Sequence, residues 1–498
     1  FKHKENGGVF KIPKKETQKT LLKEIPNTLL TKHHENEYND FDYEGLIYKK
    51  ISQEGPSLAT GDINGDGNED VYIGGAKDQA GTFFIHHGNG DLKPKKSTAL
   101  EIDRAFEDTV ASFFDADGDG DLDLMVGSGG NQVNESQRES IRLYLNDGKG
   151  NFTKGSLPQI SSINNISVIA ANDYDNDGDI DVFVGSRSIV GVYGMDPSHI
   201  LLRNEGNGIF KNTAPDITKE LKLSGMITDA KWVDIDGNSQ KELITVSDWG
   251  APMVYKNING VLKKQPSTMD NLQGWWNIIQ PVDIDGDGDE DFILGNQGKN
   301  LHYTPSSENI MKLWVNDFDN NGTFEQIVTQ TINGKDMPVH QKRELTTQMV
   351  ALKKQNLKAS EYAKKSIQEL FPEAVLKKTT VKQVTTSETM IVINNGDGTF
   401  TTKPLPARSQ LSCVCGIACA DVNKDGKTDI IMGGNNFEFK PQFSRLDADY
   451  GSVLLNQGNL DFEWQNYNES GFFIKEEVKH IQPIKDKNGN LFFVVAIN

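Results

Sequence analysis

Seven times along 498 residues a nine-residue acidic loop recurs, and each copy runs straight into a short apolar strand. The copies begin at Asp62 (DINGDGNED), Asp115 (DADGDGDLD), Asp173 (DYDNDGDID), Asp234 (DIDGNSQKE), Asp283 (DIDGDGDED), Asp317 (DFDNNGTFE) and Asp421 (DVNKDGKTD). A self-similar unit of this kind means a repeat architecture, in which each unit buries its apolar face only against its neighbours.

Oxygen-bearing side chains stand at positions 1, 3, 5 and 9 of every copy. They are Asp62, Asn64, Asp66 and Asp70 in the first, and Asp115, Asp117, Asp119 and Asp123 in the second. Asp173, Asp175, Asp177 and Asp181 form the third set, and Asp234, Asp236, Asn238 and Glu242 the fourth. Asp283, Asp285, Asp287 and Asp291, then Asp317, Asp319, Asn321 and Glu325, and last Asp421, Asn423, Asp425 and Asp429 complete the series. Hard oxygen donors at this density suit Ca²⁺, and a Gly at position 6 lets the backbone wrap an ion. No His or Cys lies in any loop, which excludes zinc chemistry there. Up to seven Ca²⁺ sites are expected. The fourth fits least, because Ser239 replaces the Gly and Asn238 an Asp.

An EF-hand opens in the same way but needs Glu at position 12 and flanking helices. Position 12 is instead Ile73, Val126, Val184, Leu294 and Met432 in the five most regular copies, each within a strand-like run. The loops therefore join strands.

The ligand positions of the loops hold 24 of the 71 Asp and Glu. Seven divalent ions would bring the formal charge of −19 to about −5. The acidity is largely a ligand inventory, and no basic stripe suggests nucleic acid. No run of 18 apolar residues is present to span a membrane as a helix. The chain begins at Phe1 without a visible signal peptide and reads as a mature or excerpted piece. Weak calcium loops in such number suit an extracellular setting.

Loop starts are separated by 53, 58, 61, 49, 34 and 104 residues. Units of that length, with hairpin signals such as LYLNDGKGNF, LLRNEGNGIF, IVINNGDGTF and LLNQGNLDF, predict an all-β fold, a β-propeller. Counting the ligand-free hairpin at 478–498 gives eight blades, with seven as the alternative. A strand near residues 45–50 is expected to complete the last blade and remove exposed edges. Residues 1–40 read as a polar tail and 41–498 as the propeller. The long gap holds a helical insertion at about 340–371, with Leu345, Met349, Leu352, Ile367, Leu370 and Phe371 on its apolar faces.

Catalytic residues do not stand out. The histidine pairs His33–His34 and His86–His87 lack metal-ligand spacing, and no nucleophile motif is present. Cys413, Cys415 and Cys419 fit one core strand. Trp249, Trp275 and Trp276 are the candidates for contact with a glycan, peptide or partner at a propeller mouth, Trp249 being the one most expected to be exposed.

The loops and hairpins resemble the FG-GAP (VCBS) repeats of integrin α-subunit propellers and many bacterial surface proteins, over about residues 50–498. The phrases FKHKEN, SQEGPSLATGDINGDG, RAFEDT, SDWGAPM and GWWN are similar to one branch, the large FG-GAP proteins of Bacteroidota. Proteins of that branch are often encoded beside SusC-type transporters and SusD-type lipoproteins. The resemblance implies a calcium-stabilised, lipid-anchored accessory protein of the outer-membrane surface, with a transporter or surface lipoprotein as partner. No lipobox Cys and no ASPIC/UnbV segment are visible. A polysaccharide lyase and a protein-binding adhesin are the alternatives, and enzymatic activity is not expected.

Overall fold

The computed structural model describes residues 19–25, 33–132, 139–160, 164–213, 221 and 224–498. The strands assemble into eight antiparallel sheets, and seven of these close a ring. Blade one comprises Leu58–Gly61, Asp70–Ile73, Thr82–His86 and Leu92–Lys95, ordered from the axis outward. Blade two repeats the plan from Asp108–Phe114 to Phe152–Lys154, blade three from Asn164–Asn172 to Phe210–Asn212, and blade four from Met226–Val233 to Val261–Gln265. Blade five is split: Ile278–Val282 and Asp291–Gly295 pair with Met390–Asn394 and Phe400–Pro404. Blade six runs from Val414–Ala420 to Asp461–Gln465, and blade seven has, among the described residues, two strands, Val478–Lys485 and Leu491–Ile497. The inner strands contact one another in sequence order, and Val478–Lys485 closes the ring against Leu58–Gly61.

In blades one to six the second strand is buried along almost its whole length. Its residues are buried on both faces because neighbouring blades cover them, so the sequence there is a continuous apolar run rather than an alternation. Between blades two and three, for example, Met125, Leu143, Val182, Val184 and Leu202 pack as one cluster.

The eighth sheet lies outside the ring. Met311–Asn316, Glu325–Ile332, Lys335–Pro338 and Thr380–Val384 form it, and the whole segment is inserted between the second and third strands of blade five. The sixth acidic loop, at Asp317, belongs to this inserted sheet. Counting it as a ring unit is what separates eight sheets from seven ring positions. The insertion leaves blade five at the end of Asp291–Gly295 opposite the Asp283 loop, so it covers the face away from the ring's acidic loops.

The helical part is five short helices, Lys342–Gln348, Ala351–Gln355, Ala359–Tyr362, Ile367–Leu370 and Glu373–Leu376. The apolar residues read from sequence do form its core, with Leu46, Trp314, Phe318 and Ile327. The helices are short because local capping interrupts the run: Glu344 and Glu369 each close a capping box. Among the described residues no helix is long and apolar enough to cross a membrane.

Residues 45–50 do not complete the last blade. They run beside the top-face loop of blade six, where Lys50 N–H donates to Glu438 O (3.0 Å) and Lys440 N–H to Tyr48 O (2.8 Å). Lys49 anchors this segment: its ammonium lies 3.2 Å from Asp248 in the interior. Asp248 also accepts from Tyr193 Oη (2.8 Å), and Arg187 lies 3.7 Å away. Burial pushes Asp248 up, but Lys49 and Arg187 outweigh it and hold the carboxyl below its usual range.

Candidate metal centres

Each acidic loop is organised by its first carboxylate. Asp62 accepts from the N–H groups of Gly65, Asp66 and Gly67, and Asp173, Asp317 and Asp421 accept in the same way from positions 5 and 6. The chain can curl this tightly because positions 4 and 6 both take positive φ in all seven copies. At position 6 this falls on Gly in six loops and on Ser239 (φ 67°) in the fourth. A serine there carries a strain that glycine avoids.

The ninth residue is the buried end of the loop. Asp70, Asp123, Asp181, Asp291 and Asp429 are at most 1% exposed. One oxygen of each accepts the N–H of loop position 2, as from Ala116 to Asp123 (2.8 Å). The other accepts a backbone N–H from the third strand, as from Asn146 (2.8 Å). Burial, and after it the neighbouring loop carboxylates, push Asp70, Asp181 and Glu325 up to about 7 and Asp123 and Asp291 to about 6. These groups are poised to gain from a nearby cation.

Positions 1, 3 and 9 converge. In the loops at Asp115, Asp173, Asp234, Asp283 and Asp317, carboxylate oxygens from the three positions lie within 4.8 Å of one another. The loops at Asp62 and Asp421 have Asn64 and Asn423 at position 3, which offer an amide oxygen instead. Position 5 stays at the loop surface. A test of fit comes from Asp175 and Asp319: each has a buried Oδ1 with no hydrogen-bond donor. An anionic oxygen left so beside two more carboxylates is costly unless a cation satisfies it. The donor set is all oxygen, which is the preference of Ca²⁺ and Mg²⁺ over zinc. The loops at Asp115, Asp173, Asp283 and Asp317 fit such an ion by convergence, and those at Asp62 and Asp421 by their donor types.

The loop at Asp234 fits poorly for a reason beyond Ser239. Lys256, from the third strand of blade four, places Nζ 2.5 Å from Asp236 and 3.5 Å from Glu242. A tethered ammonium already stands between positions 3 and 9. It draws its stability from that pairing, since the hydrogen bond to Asp236 raises the Lys256 pKa.

The hairpin motifs carry a second feature that periodicity did not reveal. Asn146, Asn204 and Asn394 end the third strands of blades two, three and five, and Asn456 lies two residues before the end of that of blade six. Each donates Nδ2–H to the position-2 carbonyl of the preceding blade's loop: Ile63, Ala116, Ile235 and Ile284, at 2.8–3.0 Å. Asn257 makes the same bond from blade four to Tyr174. Five of the seven loops, those at Asp62, Asp115, Asp173, Asp234 and Asp283, are thereby tied to the next blade. The Asn two residues before a Gly at Asn146, Asn204, Asn394 and Asn456 was the available signal, and it also serves as an ordinary turn residue.

The tryptophans are interior, and the expectation that Trp249 is exposed is corrected. Trp249, Trp275 and Trp276 are 3%, 7% and 0% exposed. The insertion and residues 45–50 cover the mouth on which Trp249 and Trp275 sit. Trp249 donates to Tyr193 Oη (3.1 Å) and Trp276 to Leu272 O (2.9 Å). Trp249 and Trp275 line a small aromatic recess of about 40 Å³ with Tyr48, Tyr303 and Phe443.

Residues 62–126 and 128–184 match the FG-GAP-like repeat. Blades one to three carry FG-GAP-like repeats. The loops at Asp234, Asp283, Asp317 and Asp421 lie outside the matched residues yet keep the same position-2 to position-9 hydrogen bond. No curated protein matches the chain. Among solved structures, the chain is similar to YCF48 from Cyanidioschyzon merolae (9% identity, covering 91% of this chain and 97% of that one, TM-score 0.43). It is also similar to an Agrocybe aegerita lectin that recognises non-reducing terminal N-acetylglucosamine (15%, 88% and 99%, 0.34). A third similarity is to the V. cholerae biofilm matrix protein Bap1 (11%, 86% and 83%, 0.29). At these scores the likenesses add nothing to the fold read from the sheet order.

Proposed function

We propose that the chain is a calcium-stabilised binding and assembly module, an accessory subunit that docks a transporter or lipoprotein of the SusC/SusD kind at the outer-membrane surface. The observation that carries the calcium part is the coupling of five of the loops to the neighbouring blade. A Ca²⁺ held by positions 1, 3, 5 and 9 would neutralise the converging carboxylates. The position-9 acid and the Asn bond to the preceding loop would pass that order from blade to blade. The ion's contribution is charge neutralisation and rigidity. Lys256 supplies both in blade four, so we assign six Ca²⁺ sites.

A binding role draws support from the two unlike faces of the ring, one edged by acidic loops and the other capped by the insertion. The cell-surface setting and the SusC/SusD partner rest on the resemblance of SQEGPSLATGDINGDG, RAFEDT, SDWGAPM and GWWN. Purification of the chain from native membranes in calcium, and again in chelator, tests the reading. Co-recovery of a transporter–lipoprotein pair that is lost in chelator supports it. Recovery of the chain alone in calcium refutes the assembly role.

A further inference from the structure

The insertion reverses the charge of the molecule. Residues 335–382 hold eleven Lys and Arg against five Asp and Glu, in a chain of formal charge −19. A cleft of about 1300 Å³ opens between the inserted sheet and its helices. Five cations line it, Lys335, Lys342, Arg343, Lys353 and Lys364, and no Asp or Glu does. Lys335 lies 3.5 Å from Glu369, both about half exposed, and Lys342 donates to the Leu357 carbonyl (2.8 Å). Among the described residues, Arg343, Lys353 and Lys364 have no acidic partner within 4.0 Å. The cleft wall also holds His340, which is 2% exposed. Its Nε2 accepts the Val328 N–H (3.1 Å), so Nδ1 carries the proton, and that donor has no acceptor.

Cations grouped without acids repel one another and favour an anionic occupant. The floor narrows its chemistry. Ile332, 45% exposed, lies there with Met337 and Val339. The one aromatic residue of the wall, Tyr362, is buried and its hydroxyl is tied to the His340 carbonyl (2.7 Å). No ring is free to stack on a sugar or a base, the usual platform for a glycan or a single-stranded nucleic acid. An apolar floor under a cationic rim fits a peptide in which carboxylates alternate with apolar side chains.

We infer that this cleft docks an acidic, apolar-interleaved segment of a protein partner. The inference rests on the binding-module reading and gives it a site. The experiment uses the full chain in calcium and a fluorescent peptide of alternating Glu and Leu, with a Lys-Leu peptide and polygalacturonate as comparators. The Glu-Leu peptide binds the parent, and its affinity falls as salt rises. The triple variant R343E/K353E/K364E weakens it by about tenfold or more, while K377E/K378E, on the same insertion outside the cleft, does not. All five side chains are exposed, so both variants keep the parent melting temperature. Failure of the Glu-Leu peptide to bind, equal loss in both variants, or binding of polygalacturonate in its place overturns the inference. Self-association of the parent that the triple variant abolishes reassigns the cleft to a second copy and also overturns it. None of these outcomes alters co-purification from native membranes, which tests the assembly reading separately.

Discussion

Asn204→Ala isolates the link between blades from the metal itself. The Asn204 side chain is 1% exposed and makes three hydrogen bonds. It donates to Ala116 O of blade two (2.8 Å) and Ile180 O (3.2 Å), and it accepts from Gly206 N (3.1 Å). Its backbone N–H, which holds Asp181, survives in alanine. The variant thus leaves two interior carbonyls and one amide without this partner while sparing every metal-loop residue. At about 1 kcal/mol per lost bond, and more where a buried carbonyl stays unpaired, the loss is about 3–5 kcal/mol. At about 2.1 cal/mol/K per residue, a cooperative unit of this size would melt roughly 3–5 °C lower. Calorimetry in excess calcium reads the shift, and native mass spectrometry reads the bound ions. The account expects a lower melting temperature with an unchanged calcium count. An unchanged melting temperature would show that the bond does not couple the blades, and a lost ion would show that Asn204 serves the metal instead.

Lys49→Met removes the close partner of buried Asp248 and should cost about 3 kcal/mol at pH 7. The Asp248 pKa is depressed in the fold, so its contribution is present above the unfolded value near 4 and lost as pH falls through the folded value. The gap between parent and variant in denaturant titrations should therefore shrink below about pH 4. Lys256→Gln removes the ammonium from the fourth loop, and mass spectrometry should find one more Ca²⁺ than in the parent; an unchanged count would mean that Ser239 alone disables the loop. Calcium binding should release protons near pH 6 and almost none at pH 8, read by calorimetry in buffers of different ionisation enthalpy. The sign follows from acids raised to about 6–7 in the metal-free fold: they favour folding at low pH, lose that contribution as pH rises through those values, and must be deprotonated to bind the ion.

The loops were legible because a metal-binding turn is local: spacing, glycine and carboxylates all lie within nine residues. The propeller followed from their repetition. What was not legible depends on contacts distant in sequence. The loop and strands at Asp317 look like any ring unit, and only the short 34-residue spacing before it sets it apart. Its partner strand Thr380–Val384 lies more than fifty residues away. Lys256 meets the Asp236 and Glu242 carboxylates only through strand pairing. The sequence of SDWG and GWWN does not show that Trp249 and Trp275 are covered by residues 45–50 and the insertion, or that Trp276 packs between blades four and five. Asp108 of RAFEDT, too, is interior: it accepts from Tyr72 (2.7 Å) and pairs with Arg142 (2.5 Å). The phrases that carry the family resemblance are therefore largely positions that hold the ring together.

The most direct test of the account is differential scanning calorimetry of the whole chain in calcium, in magnesium and in chelator at neutral pH. Six acidic loops assigned to calcium predict a large stabilisation in calcium, a much smaller one in magnesium, and a markedly lower melting temperature in chelator. Superimposable curves in all three would contradict the claim that calcium holds this propeller together.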